Sequence, residues 1–483
     1  MRLSIVVTIT GGLLRGFGLM FLWPMVVAAY YREWTDLWGF VLAGVVAAGL
    51  GQLMRLAHSD REPELRRIEA LAIVAGTWLV VAIVGAVPYV WVGLTPVDAL
   101  FESMSGFTTT GATIFTDFDA FGRGLLFWRS LTQWLGGMGV IALFVAILPR
   151  LAMGVGQLFF AEAPGPTDEK LTPKIGKTAA VLWRLYAGLT AAEFIALWIA
   201  GMSPYDAICH AMTTLAAGGF SPNPLSIAGY DSAAVEWIIC GFMFLAGANF
   251  ALQFRALSRP GLLVRNEEFR VYSVIVLVAT VLVAGFLWQA GGQFTDTVRQ
   301  GLFQTLSILT TTGYASVDFN LWGDQTRMIL LVLMFIGGCA GSAAGGPKVL
   351  RHMLIGRYTL TELRRTLHPR AVLPVKAGGK VISDTVMRTV LVFFLFYVLT
   401  FALCAMAVIL LGADLVTGVT ATMATLGNVG PGLGDVGPMA SYGHLHPLSK
   451  LVLTGAMWVG RLEVLTVLAL LRLEVWSSAH WRP

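Results

Sequence analysis

Long apolar runs broken by short polar connections dominate this chain. Runs near the ~20 residues a helix needs to cross a bilayer recur at 3–30, 36–56, 68–91, 125–149, 179–201, 234–258, 271–289, 328–347, 387–411 and 448–472. The pattern predicts ten spans. Four of the connections between them are semi-apolar: TPVDALFESMSGFTTTGATIFT at 95–116, SPYDAICHAMTTLAAGGFSP at 203–222, TDTVRQGLFQTLSILTTTGYAS at 295–316 and ADLVTGVTATMATLGNVGPG at 413–432. Each opens with an acidic residue, Asp98, Asp206, Asp296 or Asp414, of the kind favoured at a helix start. About a dozen semi-apolar residues follow, too few to cross a bilayer, and each segment ends in a small-polar stretch with glycine. This predicts a half-helix that enters the membrane and a backbone that turns back.

Irregular backbone at membrane depth is tolerated only where it is buried in protein or faces water. Four such segments therefore imply a common wet axis. Glycines 111, 219, 313 and 430 hold matching places at separations of 108, 94 and 117 residues, the self-similarity of an internal repeat. The repeat unit is span, half-helix, loop, span. This gives an all-α polytopic membrane fold with four pseudo-symmetric repeats around one central pore: repeat 1 over 61–151, repeat 2 over 152–258, repeat 3 over 259–356 and repeat 4 over 357–483. Residues 1–60 form a two-helix N-terminal extension outside the repeat.

Composition agrees with a membrane protein: 56% of residues are hydrophobic, 13% are charged and the mean hydropathy is +0.74, too oily for an ordinary soluble domain. The N-terminus resembles a signal peptide but carries Arg15 within its apolar run and lacks a clear cleavage site, so it is read as a retained first helix. The internal loops at 55–67, 150–178, 255–270 and 348–386 hold 20 Lys and Arg, against Arg32, Arg123, Arg299 and Arg327 in the external connections. That asymmetry predicts both termini in the cytoplasm. Cys209, Cys240, Cys339 and Cys404 fall singly in different segments, with no metal, redox or disulfide pattern. No basic soluble domain is present to bind nucleic acid. No HExxH, GxSxG or paired intramembrane aspartates suggest an enzyme.

The loops have a chemistry of their own. A desolvated monovalent cation needs several oxygens at once, and backbone carbonyls supply them where successive peptide groups point inward. Glycine permits that strained run, Thr110 and Thr312 would add hydroxyls, and the negative ends of the half-helices would face a cation in the cavity beneath. For any single copy, a tight turn between helices is the competing reading.

Taken as an ordered set, TTTGATIF, LAAGGFSPNP, TTTGYASVDF and NVGPGLG, with WRSLTQWLGGMGVI after the first loop and GGCAGSAAGGPKVLR in the eighth span, resemble the TrkH branch of the Trk/Ktr/HKT potassium transporter superfamily along essentially the whole chain. The extra N-terminal helix pair fits TrkH rather than KtrB. The resemblance implies a potassium-channel-like pore in one polypeptide of the bacterial inner membrane, usually a homodimer, with a cytoplasmic nucleotide-binding ring of TrkA type. Potassium is the implied ion. Carried over by motif, the filter comprises Thr109, Thr110 and Gly111; Ala217, Gly218 and Gly219; Thr311, Thr312 and Gly313; and Asn428, Val429 and Gly430. The second and fourth loops lack the threonines of the others, which predicts a less exacting site than a symmetric tetrameric filter.

Residues 337–348, GGCAGSAAGGPK, interrupt the eighth span with glycines and with Pro347. The resemblance implies an intramembrane gating loop here, comprising Gly337, Gly338, Gly341, Ser342, Gly345, Gly346 and Lys348, with Arg461 as a further gate residue in the pore wall. Ala343, Ala344 and Pro347 depart from the family's usual residues, which puts the polarity of the loop in question. Close packing through small residues is the competing reading of the stretch, and a structural ion pair with Glu463 that of Arg461. Lys348 does not complete a phosphate loop, because Pro347 precedes it and Val349 follows. Lesser candidates are Arg129 and Gln133, as snorkelling or buttressing residues; Asn249, as a cavity or interhelix residue; and His210, as a packing residue. The basic cluster of Arg364, Arg365, Arg370, Lys376 and Lys380 fits a partner ring or anionic lipid equally. A proton- or sodium-coupled secondary transporter with broken helices is the alternative function.

Overall fold

In the computed structural model, residues 1–56, 66–147, 175–371 and 373–471 are described. The chain is built, among the described residues, of helices, with one two-stranded ribbon pairing Lys376–Ala377 and Lys380–Val381. Among the described residues, six helices are long and apolar enough to cross a membrane: Leu3–Tyr31, Trp34–Arg55, Ile68–Trp91, Ala179–Ile199, Glu267–Gln289 and Asp384–Leu410. The helix Arg123–Ile147 adds a seventh of comparable length, 25 residues. The fold is that of a multi-pass membrane protein. Most of the internal loop expected over 150–178, and the end of the last expected span, lie outside the described residues.

Three expected spans are not continuous. The sixth is two helices, Ala233–Ala246 and Phe250–Ser258, meeting at 101°, and Asn249 caps the second by accepting from the Leu252 N–H at 2.9 Å. The tenth is Pro447–Arg461 and Val464–Leu471, meeting at 109° around Glu463, whose φ is +66°. The eighth keeps helix only over Asp324–Met334 before the irregular glycine-rich stretch. Hydropathy sees only that these residues avoid water, so a bend between two apolar helices leaves no trace in the pattern.

The four half-helices are present as Pro96–Phe107, Pro204–Leu215, Phe294–Leu309 and Leu415–Leu426. Asp414 alone of the four aspartates is an N-cap, accepting from the N–H groups of Val416 (2.9 Å) and Thr417 (3.1 Å). Hydrogen bonding from Thr417 holds its carboxyl below the usual range. In the first two copies the caps are Thr95 and Ser203, followed by proline at the first helical position. Asp98 and Asp206 instead receive the cap hydroxyls at 2.8 and 2.7 Å.

Spans press against these half-helices through glycine. A Cβ on Gly136 would stand 2.2 Å from Phe107 O, and one on Gly460 2.1 Å from Leu426 O. The LGGMG run after the first loop thus lets backbone meet backbone, where the C-terminal end of a half-helix must be held.

Candidate functional site

The four loops share one backbone signature. Thr109, Ala217, Thr311 and Asn428 have φ of +52°, +54°, +58° and +54°, and two residues later Gly111, Gly219, Gly313 and Gly430 have φ of +82°, +76°, +79° and +104°. The residues between them, Thr110, Gly218, Thr312 and Val429, are not in the left-handed region. Left-handed backbone is costly for residues with a side chain, so its recurrence at four registered non-glycine positions marks a conformation imposed by the surroundings. An alternation of hand along three residues turns successive peptide groups the same way, which an ordinary turn does not do.

The loops also meet. A Cβ on Gly111 would lie 2.1 Å from Gly218 O, one on Gly219 1.9 Å from Thr312 O, one on Gly313 2.0 Å from Val429 O, and one on Gly430 2.7 Å from Thr110 O. Each glycine abuts the carbonyl before the next loop's glycine, and the fourth abuts the first. The ring closes. All four glycines line a single cavity of about 360 Å³. Beyond the ring the closure is repeated: Arg129 Nη1 donates to Ser221 O (3.2 Å), the Ile227 N–H to Ala315 O (3.1 Å), Asn320 Nδ2 to Gly434 O (3.1 Å) and the Tyr442 N–H to Thr113 O (2.8 Å).

The side chains differ from expectation in detail. Thr110 Oγ1 pairs with Thr108 Oγ1 (2.8 Å) and accepts from Asn428 Nδ2 (2.9 Å), and Thr312 Oγ1 pairs with Thr310 Oγ1 (2.8 Å). Both hydroxyls are engaged. The buried side-chain oxygens without a partner at this level are Thr109 Oγ1 and Asn428 Oδ1. Two of the carbonyls are held by side chains as well, Gly218 O by Gln133 Nε2 (2.7 Å) and Gly430 O by the Tyr442 hydroxyl (2.7 Å).

Gln133 and Arg129 act as braces rather than snorkelling groups. Gln133 also accepts from the Phe220 N–H at 3.0 Å. Arg129 is 1% exposed, pairs with Glu102 at 2.8 Å and lies against the rings of Phe115, Phe118 and Phe220. Glu102 in turn receives Thr113 Oγ1 (3.0 Å) and the Ile114 N–H (2.9 Å) of the first loop. The sequence reading missed Glu102, although an acidic residue inside an otherwise apolar half-helix was its signal. It also missed Tyr442, for which no local signal exists.

Residues 337–348 wedge between the loops and the bend of the sixth span. Gly337, Gly341, Gly346 and Lys348 are left-handed. Cys339 and Ala343 donate to Gly247 O (2.8 Å) and Ala246 O (3.2 Å), Asn249 Nδ2 donates to Ala340 O (2.7 Å), and the Ala340 N–H donates to Glu268 Oε1 (2.6 Å). A Cβ on Gly338 would approach Gly247 O to 2.9 Å, and Ser342 turns back on Cys339 O (2.6 Å). The Gly345 N–H reaches Thr311 Oγ1 in the third loop at 2.6 Å. Lys348 folds back onto Ala344 O. The stretch thus touches the ring directly.

Arg461 is placed there too. It ends its helix at the bend, where the C-terminal dipole favours a cation, and Nη1 donates to Ala343 O at 3.0 Å. Its Nε and Nη2 are buried without partners. Glu463 pairs instead with Arg351 at 2.7 Å, so the expected alternative pairing of Arg461 with Glu463 is absent. In the basic cluster, Arg365 is tied to Glu362 and Leu373 O, while Arg364, Arg370 and Lys376 are exposed. Lys380 sits in the ribbon.

Residues 39–482 match the family model TrkH, described as cation transport protein. The chain belongs to the TrkH family. Within that family it is 38% identical to the Trk system potassium uptake protein TrkH of Vibrio parahaemolyticus, over 99% of this chain and all of the relative. It is 35% identical to TrkG of Escherichia coli K12, over 99% of each. The crystal structure of the potassium transporter TrkH from Vibrio parahaemolyticus superposes with a TM-score of 0.90 at 36% identity, covering 99% of this chain and all of that one. Like its TrkH-family relatives, the chain is a transport protein and not an enzyme.

Proposed function

We propose that this TrkH-family chain takes up potassium across the bacterial inner membrane, through a filter made by residues 109–111, 217–219, 311–313 and 428–430. Potassium is the transported substrate, not a resident cofactor. The observation that carries the reading is the closed ring of four loops with the same alternating backbone hand. Such a ring presents several peptide oxygens to one axis, as a dehydrated monovalent cation requires. The names of the relatives supply the ion. Glycine at the ring is required by sterics, since a methyl group on any of the four would displace a neighbouring carbonyl.

Residues 337–348 form the gate in this reading, supported by their position against Thr311 and by the guanidinium of Arg461, which sets a fixed positive charge beside them. Control by a cytoplasmic nucleotide-binding ring of TrkA type, assembly as a homodimer, cytoplasmic termini and the four repeat boundaries belong to the same proposal. The Trk system naming of the relatives supports the partner.

Expression in a bacterium that lacks potassium uptake tests the function. Growth on limiting potassium is expected, further enhanced by the regulatory partner. Failure to restore growth, with the protein present in the membrane, would overturn the assignment. A coupled transporter would instead show potassium uptake that requires a proton or sodium gradient in proteoliposomes.

A further inference from the structure

The ring registers a second set of four residues. Counting nine positions back from Gly111, Gly219, Gly313 and Gly430 gives Glu102, His210, Gln304 and Ala421, each on a half-helix and each buried. Three of them reach forward to their own loop just beyond the glycine. Glu102 receives Thr113 Oγ1 and the Ile114 N–H. Gln304 Nε2 donates to Ser316 Oγ at 3.3 Å. His210 meets Ser221 Oγ at 3.0 Å. Where Ala421 has nothing to offer, the neighbouring Thr420 hydroxyl accepts from the Leu433 N–H at 2.9 Å and donates to Leu433 O at 3.0 Å.

His210 has a defined tautomer in this arrangement. Its Nδ1 lies 2.7 Å from Asp206 O, and a carbonyl only accepts, so Nδ1 carries the proton. In the neutral ring Nε2 then accepts from the Ser221 hydroxyl, whose oxygen also receives the Asn223 N–H at 3.0 Å. The next residues of the same helix continue the brace: Thr213 Oγ1 and His210 O both bond the Tyr314 hydroxyl of the third loop.

We propose that His210 is a positioning residue of the filter, doing for the second loop what Glu102 and Gln304 do for the first and third, and thereby setting discrimination among monovalent cations. The inference rests on the filter reading. In the second loop, where Ala217 and Gly218 contribute no side-chain oxygen of their own, Gln133 holds Gly218 O and the Phe220 N–H, Arg129 holds Ser221 O, and His210 adds the hold on the Ser221 hydroxyl. Loss of the His210 bond releases one hold on the Ser221 hydroxyl, two residues beyond Gly219, and leaves the second loop to Gln133 and Arg129.

The test compares potassium and sodium fluxes of the full chain in proteoliposomes for the unmodified protein, His210→Ala, His210→Gln, Ser221→Ala and the His210→Ala/Ser221→Ala double variant, each checked for folding by its detergent melting profile. His210→Ala is expected to lower the potassium-to-sodium flux ratio by about five- to tenfold, the scale of one lost buried hydrogen bond. Glutamine, which is the third repeat's own solution, should restore the ratio, and Ser221→Ala should reproduce the loss without adding to it. A folded His210→Ala protein with an unchanged ratio would overturn the proposal, as would failure of glutamine to rescue, or additive losses in the double variant. If His210→Ala does not fold, the ratios of Ser221→Ala and His210→Gln decide in the same way. Absence of potassium flux in the unmodified chain would strike the filter reading itself, and this inference with it.

Discussion

At the scale of single residues, the ring is decided by close approach. A Cβ on Gly313 would sit 2.0 Å from Val429 O with φ held at +79°, and a left-handed residue with a side chain costs roughly 1–2 kcal/mol before any overlap is counted. Gly313→Ala should therefore abolish potassium-dependent growth while leaving protein in the membrane. Retained uptake would show that the loop relaxes more than this packing permits. Arg461 poses the opposite case. A charge at mid-bilayer is assigned about 2.5–3.5 kcal/mol on insertion scales, yet two of its guanidinium nitrogens are buried without partners. Its retention beside Ala343 fits a barrier to cations. Arg461→Ala should raise rubidium flux, whereas unchanged flux in a stably folded variant would reduce Arg461 to a structural role.

At the scale of elements, the half-helices and loops stand because their backs are braced. The Glu102–Arg129 pair, at 2.8 Å and almost wholly buried, also receives the first loop and touches Ser221 O of the second. Removing one partner of a buried pair typically costs about 3–5 kcal/mol, because the other is left uncompensated. Arg129→Leu should lower the melting temperature more than Arg129→Leu combined with Glu102→Gln, as read in detergent by thermal unfolding. Equal losses would mean the pair carries no mutual dependence. Much of this level was open to a sequence reading: the sub-spanning lengths, the helix-start residues and the registered glycines all lie within short windows. Gln133 and Arg129 were open to it as buttressing candidates, but not the atoms they hold, since Gln133 and Gly218 are 85 residues apart and nothing local names the carbonyl a glutamine will bond.

For the whole molecule, the proposed filter differs from a symmetric one in the side chains its four loops bring. Thr109, Ala217, Thr311 and Asn428 occupy equivalent positions, and Thr311 Oγ1 is engaged by the Gly345 N–H. Sodium should accordingly pass at a measurable fraction of the potassium rate, with rubidium close to potassium, when fluxes are compared in proteoliposomes. Complete exclusion of sodium would contradict the asymmetry argument. The charge distribution predicts the proposed orientation, and a thiol-reactive reagent that cannot cross the membrane tests it. In intact cells the reagent should label a cysteine placed at exposed Asp119 and spare one at exposed Arg370. The reverse pattern would invert the topology.

The sequence alone determined that the chain crosses a membrane, that four short segments turn back within it, and that each ends in a glycine-bearing loop. Those features depend on residue type over distances shorter than one helix, where hydropathy and backbone preference act directly. Tertiary structure decided the bends near Asn249 and Arg461, the engagement of Thr110 and Thr312, the partner of Glu463 and the bonding partners of Glu102 and His210. Each of these follows from which distant atom occupies the last few ångströms around a buried polar group. A group cut off from water must bond to whatever the fold brings near it, and neighbours far apart along the chain leave no periodic mark on it.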